Sequence, residues 1–223
     1  MKTRLLVFLL MLSVAIVGCR GKDSDESTLA TDSVPTLEQP SDTIAAKSPM
    51  IATMDTMMVR IHRMPKSGNA DHDLAAAMEI HHQSAIDMAS LLLQSGTDQQ
   101  LKAIAAKIIE AQSKEIEVLK KIQKQYAKGE KTYDPAVVND GLGKAMTEDM
   151  NTMMKMPEKI GSSVDSQFAS TMVKHHRDGI QMGHTILLYV KDPIFKELTR
   201  NMVSSQELEI DEMEDWLSKH ADL

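Results

Sequence analysis

Two adjacent histidine pairs, His81-His82 and His175-His176, are the part of this sequence best suited to chemistry. Each pair has a methionine three residues before it and another seven residues after its first histidine: Met78 and Met88, then Met172 and Met182. On a helix turning about 100° per residue, Met78, Leu74, Ala85, Ala89 and Leu92 share one face, with His81 and His82 straddling it and Met88 beside His81. In the second copy, small core-facing positions are Gly179 and Gly183. Glycine inside a helix costs roughly 1 kcal/mol against alanine, so close approach of another group is expected there.

Burying four imidazoles without partners is costly, and a metal ion gives several of them a partner at once. Thioether is a soft ligand and imidazole a borderline one. Together they select copper, Cu(I) above all, with Cu(II) or Ag(I) as further candidates. Zinc prefers Cys, His and carboxylate. The expected ligands are therefore His81, His82, His175, His176, Met78, Met88, Met172 and Met182. The plainer alternative is that these residues only fill a core, as flexible Met often does.

Methionine is abundant, 18 of 223 residues. Met54, Met57 and Met58 stand at i, i+3 and i+4, with His62 four residues further on, and Met150, Met153 and Met154 repeat the triplet. Met54, Met57, Met58, His62, Met153 and Met154 are possible additional ligands. So is His184, which has no mate in the other copy because Ser90 stands there.

These groups sit on a duplicated scaffold. Asp71–Leu93 aligns with Asp165–Leu187 at an offset of 94, with eight of 23 positions identical, both His pairs among them. Such self-similarity marks a tandem repeat. Each repeat reads as three helices. The short Met-rich ones cover about 50–64 and 141–156, punctuated by Pro65 and Pro157. The His-bearing ones cover about 71–95 and 165–190, and the long amphipathic ones about 98–127 and 193–220. Thr97 with Gln100 predicts a capping box, and Asp192-Pro193 an N-cap with proline at the first helical position.

The third helix places Leu101, Ile108, Glu115 and Ile122 on one heptad position and Ala105, Gln112, Leu119 and Tyr126 on another. Four long helices from two repeats predict an all-α, ferritin-like antiparallel four-helix bundle with a pseudo-twofold axis. The Met-rich helices would pack across it or over one end. Gln112, Glu115, Gln206 and Glu209 interrupt the seams. They would either hold a His ring by its second nitrogen or form a polar network that sets register.

The chain begins with a basic start, Lys2 and Arg4, then an apolar run from Leu5 to Val17 that suits a signal peptide rather than a membrane span. The run ends in Val-Ala-Ile-Val-Gly-Cys19, which resembles a bacterial lipobox and marks the only Cys, Cys19, for lipidation. Residues 1–18 are read as a lipoprotein signal peptide. Residues 19–48, rich in Ser, Thr, Asp and Pro, are read as a disordered tether. Residues 49–223 form the duplicated bundle, with repeat one over about 50–128 and repeat two over about 141–220.

A cell-envelope protein held to the membrane by lipid is expected, in the outer membrane or periplasm if the cell is Gram-negative. With only Cys19, no intrachain disulfide can form. Charge and composition exclude other partners. The net charge is −7, and −9 without Lys2 and Arg4 (23 basic against 32 acidic), which argues against a phosphate-backbone binder. Aromatics are only 3%, too few for base stacking.

The stretches Met78-Glu-Ile-His81-His82-Gln83-Ser-Ala-Ile86-Asp87-Met88-Ala89 and Met172-Val-Lys-His175-His176-Arg-Asp-Gly179-Ile180-Gln-Met182 resemble the bacterial domain-of-unknown-function-305 family. The ending Gln206-x-x-Glu209-Ile210-x-x-Met213-x-x-Trp216-Leu217 is similar too. The likeness spans about 50–220. It implies a ferritin-like helical fold and, from its CopM-like members, copper binding in the envelope.

The expected function is copper sequestration, delivery or tolerance, without catalysis and with an unidentified copper-handling partner. A structural or adaptor bundle without metal is one alternative. A di-iron oxidase is another; it needs Glu-x-x-His twice, and Glu79-x-x-His82 has only Val173-x-x-His176 as its counterpart.

Overall fold

A computed structural model describes residues 48–220, so the signal-peptide, Cys19 and most of the tether assignments lie outside the described residues. Six helices follow in order: α1 (Pro49–Arg63), α2 (Ala70–Ser95), α3 (Gln99–Tyr126), α4 (Gly141–Met153), α5 (Val164–Tyr189) and α6 (Pro193–Lys219). Among the described residues there is no strand, and no helix is long and apolar enough to cross a membrane.

Short polar side chains start most of these helices. Asn69, Ser163 and Asp192 accept from the backbone N–H three residues on, satisfying an N–H that helix geometry leaves unpaired. α3 departs from the expected Thr97–Gln100 box. Its N-cap is Asp98, whose carboxylate accepts from Leu101 N–H at 2.9 Å. Thr97 instead donates to Asp165, through its N–H at 3.0 Å and its hydroxyl at 2.7 Å.

Helix ends follow the prolines. Met64, the C-cap of α1, is extended (ψ 137°), as the residue before Pro65 must be. α4 stops at Met153, three residues short of the expected Met156, so Met154 lies just outside it.

α2 and α3 form one hairpin and α5 and α6 a second. α2 packs on α5 and α3 on α6. Two reciprocal clasps fix their direction. Asp71, at the start of α2, accepts from Lys191 and Asp192 N–H beyond the end of α5, at 2.9 and 2.8 Å. Asp165, at the start of α5, accepts from Thr97 and Asp98 N–H beyond the end of α2. The start of each helix meets the end of the other, so α2 and α5 run antiparallel, and the 94-residue offset is exchanged across the axis. The bundle is thus the antiparallel four-helix arrangement of two repeats. α1 lies against α2 with further contacts to α5 and α4, and α4 lies against α5. The Met-rich helices therefore cover the α2/α5 side of the bundle.

The core is divided. One apolar cluster holds Met88, Leu92, Leu101, Ile108, Phe168, Met172, Met213 and Trp216. The other holds Leu74, Met78, Leu119, Ile122, Met182, Ile186, Phe195 and Met202. Along each long helix one cluster gives way to the other at the same place: His81-His82 on α2, Gln112 and Glu115 on α3, His175-His176 on α5, Gln206 and Glu209 on α6. These eight residues, all paired by the repeat offset, form a polar waist between two hydrophobic halves.

Candidate metal centre

All four waist histidines are fully buried. The rings of His81 and His175 face each other at a tilt across the pseudo-twofold axis, with centroids 3.7 Å apart and planes 31° apart. His82 and His176 stand outside them, 6.4 and 6.1 Å from their neighbours. His175 Nε2 lies 3.1 Å from the backbone carbonyl of His81. A carbonyl only accepts, so Nε2 carries the proton and Nδ1 keeps its lone pair. His176 Nε2–H donates in the same way to Glu209 Oε2 at 2.7 Å. His82 Nε2 lies 2.7 Å from Glu115 Oε2, at ion-pair distance but out of hydrogen-bond alignment. In both repeats, then, a seam glutamate stands at the far nitrogen of the second histidine.

Several buried polar atoms have no protein partner: both ring nitrogens of His81, the Nδ1 atoms of His82, His175 and His176, Gln112 Oε1, and both amide atoms of Gln206. Burial holds His81 and His175 well below the ordinary imidazole range, reinforced by neighbouring imidazoles: His82 and His176 for His81, His81 first for His175. They are therefore neutral at pH 7, the form that binds metals. A ring fixed at one nitrogen by carboxylate or carbonyl, with the other lone pair free, is the usual arrangement around metal-bound histidine.

The pseudo-symmetry is broken at the centre. A Cβ on Gly179 would lie 3.0 Å from His81 Cε1 and 2.6 Å from Gln206 Oε1, so this glycine makes room for the His81 ring. Its repeat mate is Ala85, which carries a Cβ and is fully buried. The His175 backbone also acts on the His81 ring, reciprocally, but neither His81 nitrogen is in hydrogen-bond alignment. Gly183 meets Val203, Met202 and Thr199 instead, so its close approach is helix packing.

Among the described residues, no three His, Cys, Asp or Glu side chains are grouped ready to hold an ion. Imidazoles at the waist would need thioethers to complete a coordination sphere. Met78, Met88, Met172 and Met182 are all buried, Met78 and Met182 in one apolar cluster, Met88 and Met172 in the other. They therefore flank the waist on both sides.

The other candidates lie apart. Met54 is buried with Met88 and Met172, and Met57 with Met78 and Met182. Met58, His62, Met153 and Met154 line a groove between α1 and α4. His184 is exposed on α5. Glu79 accepts from Gln123 Nε2 at 2.5 Å, which engages it on α3 rather than at the waist.

Sequence reasoning did not assign Asp71 and Asp165 a role, although their identity in both repeats was the signal. It also missed Lys174, which bonds to buried Asp178 and to the Thr152 carbonyl and so ties the end of α4 to α5.

Fold and waist together define a class: a duplicated four-helix bundle with paired, buried histidines backed by glutamate. The family model described as "Domain of unknown function (DUF305)" matches residues 71–217, and the chain belongs to that family. Three similar solved structures are of CopM. The Cu(I)-bound form is 27% identical with a TM-score of 0.51. The Ag-bound form obtained by soaking is 25% identical with a TM-score of 0.51. Each covers 67% of this chain and 96% of its own. The Cu(II)-bound form is 26% identical with a TM-score of 0.50, covering 67% and 97%. No curated protein sequence matches the chain.

Proposed function

We propose that this protein binds copper in the cell envelope, for sequestration, delivery or tolerance, and that the polar waist is its principal site. The observation that carries this reading is His81: fully buried, against a neutral His175, with neither ring nitrogen in an aligned hydrogen bond. Such orphaned polar atoms call for an ion or water. Copper is favoured over other ions because the neighbouring donors are thioethers. CopM structures with Cu(I), Cu(II) and Ag support the same choice. The ligands are drawn from His81, His82, His175 and His176 with Met78, Met88, Met172 and Met182, while Glu115 and Glu209 orient the second histidine of each pair.

The role is binding, without turnover. A di-iron oxidase is disfavoured because Glu79, the one carboxylate of its Glu-x-x-His motif, is engaged by Gln123. Lipidation at Cys19 would tether the bundle to a membrane; a Cys19→Ala variant would then leave the membrane fraction.

The test is Cu(I) titration against a competing chelator, and Cu(II) titration, for the wild type and for a His81→Asn/His175→Asn variant. Circular dichroism verifies that the variant is folded. Loss of tight binding in the folded variant is expected. Unchanged binding would remove the waist as the site. No copper binding by the wild type would leave a metal-free adaptor bundle.

A further inference from the structure

α1 and α4, the two short helices outside the bundle, line one groove with Met54, Met58, His62, Met150, Met153 and Met154. With Met156, which lines it too, six thioethers and an imidazole face a single concavity that none of the waist residues lines. The groove has a rim of opposite charges, Asp55 and Arg63, so it carries no strong field of either sign. Packing accounts for Met54 and Met153, which are buried. It does not account for Met154 or neighbouring Met156, which are 58% and 44% exposed. Nor does it account for His62, exposed and without a hydrogen-bond partner among the described residues.

A methionine left in water offers little to stability, but its sulfur is an accessible soft donor. The α1 donors sit at i, i+4 and i+8, in one row along the helix. Met150 and Met153 of α4 and Met154 at its C-cap follow i, i+3 and i+4 opposite them.

We propose that this groove is a second metal site, open to solvent and selective for a soft monovalent d10 cation, Cu(I) or its stand-in Ag(I). Its donors are thioethers completed by the His62 imidazole. Asp55 is the one carboxylate along the groove, against six thioethers and one imidazole, so Zn(II) and other harder ions are poorly served. The groove encloses about 450 Å³, far more than one ion fills. Binding therefore draws flexible Met side chains together, for which three rotatable bonds suit them. The site is independent of the waist and does not rest on the waist binding copper.

The experiment is an Ag(I) titration of the protein with methyl-labelled methionine, read by NMR, with bound Ag(I) counted in parallel. The methyl signals of Met58, Met150 and Met154 are expected to shift, and Zn(II) is expected to leave them in place. A Met58→Leu/Met150→Leu/Met154→Leu/His62→Gln variant keeps side-chain volume nearly constant, a tolerated change. It should lose one equivalent of Ag(I) and keep waist binding. The His81→Asn/His175→Asn variant should keep the groove shifts, so failure of one site is seen separately from failure of the other. Groove methyl signals unmoved at saturating Ag(I), or an unchanged Ag(I) count in the groove variant, would overturn the proposal.

Discussion

Acid will destabilise the metal-free bundle well above the range in which its carboxylates titrate. His81 and His175 are held well below the ordinary value of 6.5 by burial. In the unfolded chain both take up protons as the pH falls through 6.5; in the fold both stay neutral. The unfolded state then binds more protons, so stability is complete above about pH 6.5 and is lost below it. One imidazole contributes at most about 1.4 kcal/mol per pH unit. Titration of the two unfolded rings between pH 7.0 and 5.5 gives a loss of about 2.5 kcal/mol, large against a typical total of about 5–15 kcal/mol.

The shifted carboxylates do not reproduce this. Asp73 and Asp165 are held below the ordinary 3.8 by their hydrogen bonds, which outweigh burial, so their losses begin only at lower pH. Asp149 and Asp178 are raised by burial and act with the opposite sign, since the fold takes up their protons first. Urea unfolding followed by circular dichroism at pH 7.0, 6.25 and 5.5, with a chelator present, measures the slope. The His81→Asn/His175→Asn variant should flatten it. Equal wild-type stability at pH 7.0 and 5.5, or the same slope in the variant, would refute the claim that these rings stay neutral in the fold.

Gly179→Ala should weaken copper binding and lower stability by up to about 2 kcal/mol: overpacking against His81 costs roughly 1–3 kcal/mol and helix propensity returns about 1. Urea midpoints and chelator competition measure both effects, and a stabilised variant with wild-type affinity would contradict the close approach. Asp165→Ala removes the acceptor of Thr97 and Asp98 N–H and of the Thr97 hydroxyl, and should cost about 2 kcal/mol or more in a urea melt. Asp71→Ala should behave alike, because it performs the same task at the other end. Glu209→Gln should reduce copper affinity about 10- to 100-fold, while Glu115→Gln should reduce it less, because only Glu209 is aligned with its ring; an equal loss in chelator competition would show that the asymmetry does not persist with metal bound.

Much of this architecture was legible in the sequence, because hydrophobic period and duplication report burial directly. The face carrying Leu74, Met78, Ala85, Ala89 and Leu92 is buried throughout, and the seam positions Gln112 and Gln206 are buried as well. Periodicity does not say which atom meets which. Thr97 and Asp98 are both good caps, and only the position of Asp165, far along the chain, decides that Asp98 caps α3. Glu79 stands one turn before His82, yet its carboxylate turns to Gln123 on α3. His220, just past the end of α6, stacks on Trp216 with centroids 4.1 Å apart, a contact between residues four apart that no hydrophobic pattern marks. The groove depends on how α1 and α4 pack, which neither helix encodes alone.

Duplication gives the bundle two copies of each waist residue, and the departures from symmetry carry the chemistry. Two rings facing each other on a twofold axis compete for the same space, and here His175 is aligned with the carbonyl of His81 while the reciprocal contact of His81 with the His175 backbone is out of alignment. The two repeats differ beside these rings: Gly179 leaves room against His81 Cε1, where the other repeat carries Ala85. A symmetric dimer of identical repeats could not place glycine on one side only. Fusing the repeats in one chain permits it, and so one waist can hold unlike imidazoles: His175 and His176 with one nitrogen fixed by a hydrogen bond, His81 and His82 without one. That arrangement favours one asymmetric waist site over two equivalent ones, and copper stoichiometry at the waist, counted with the groove variant, would read as one.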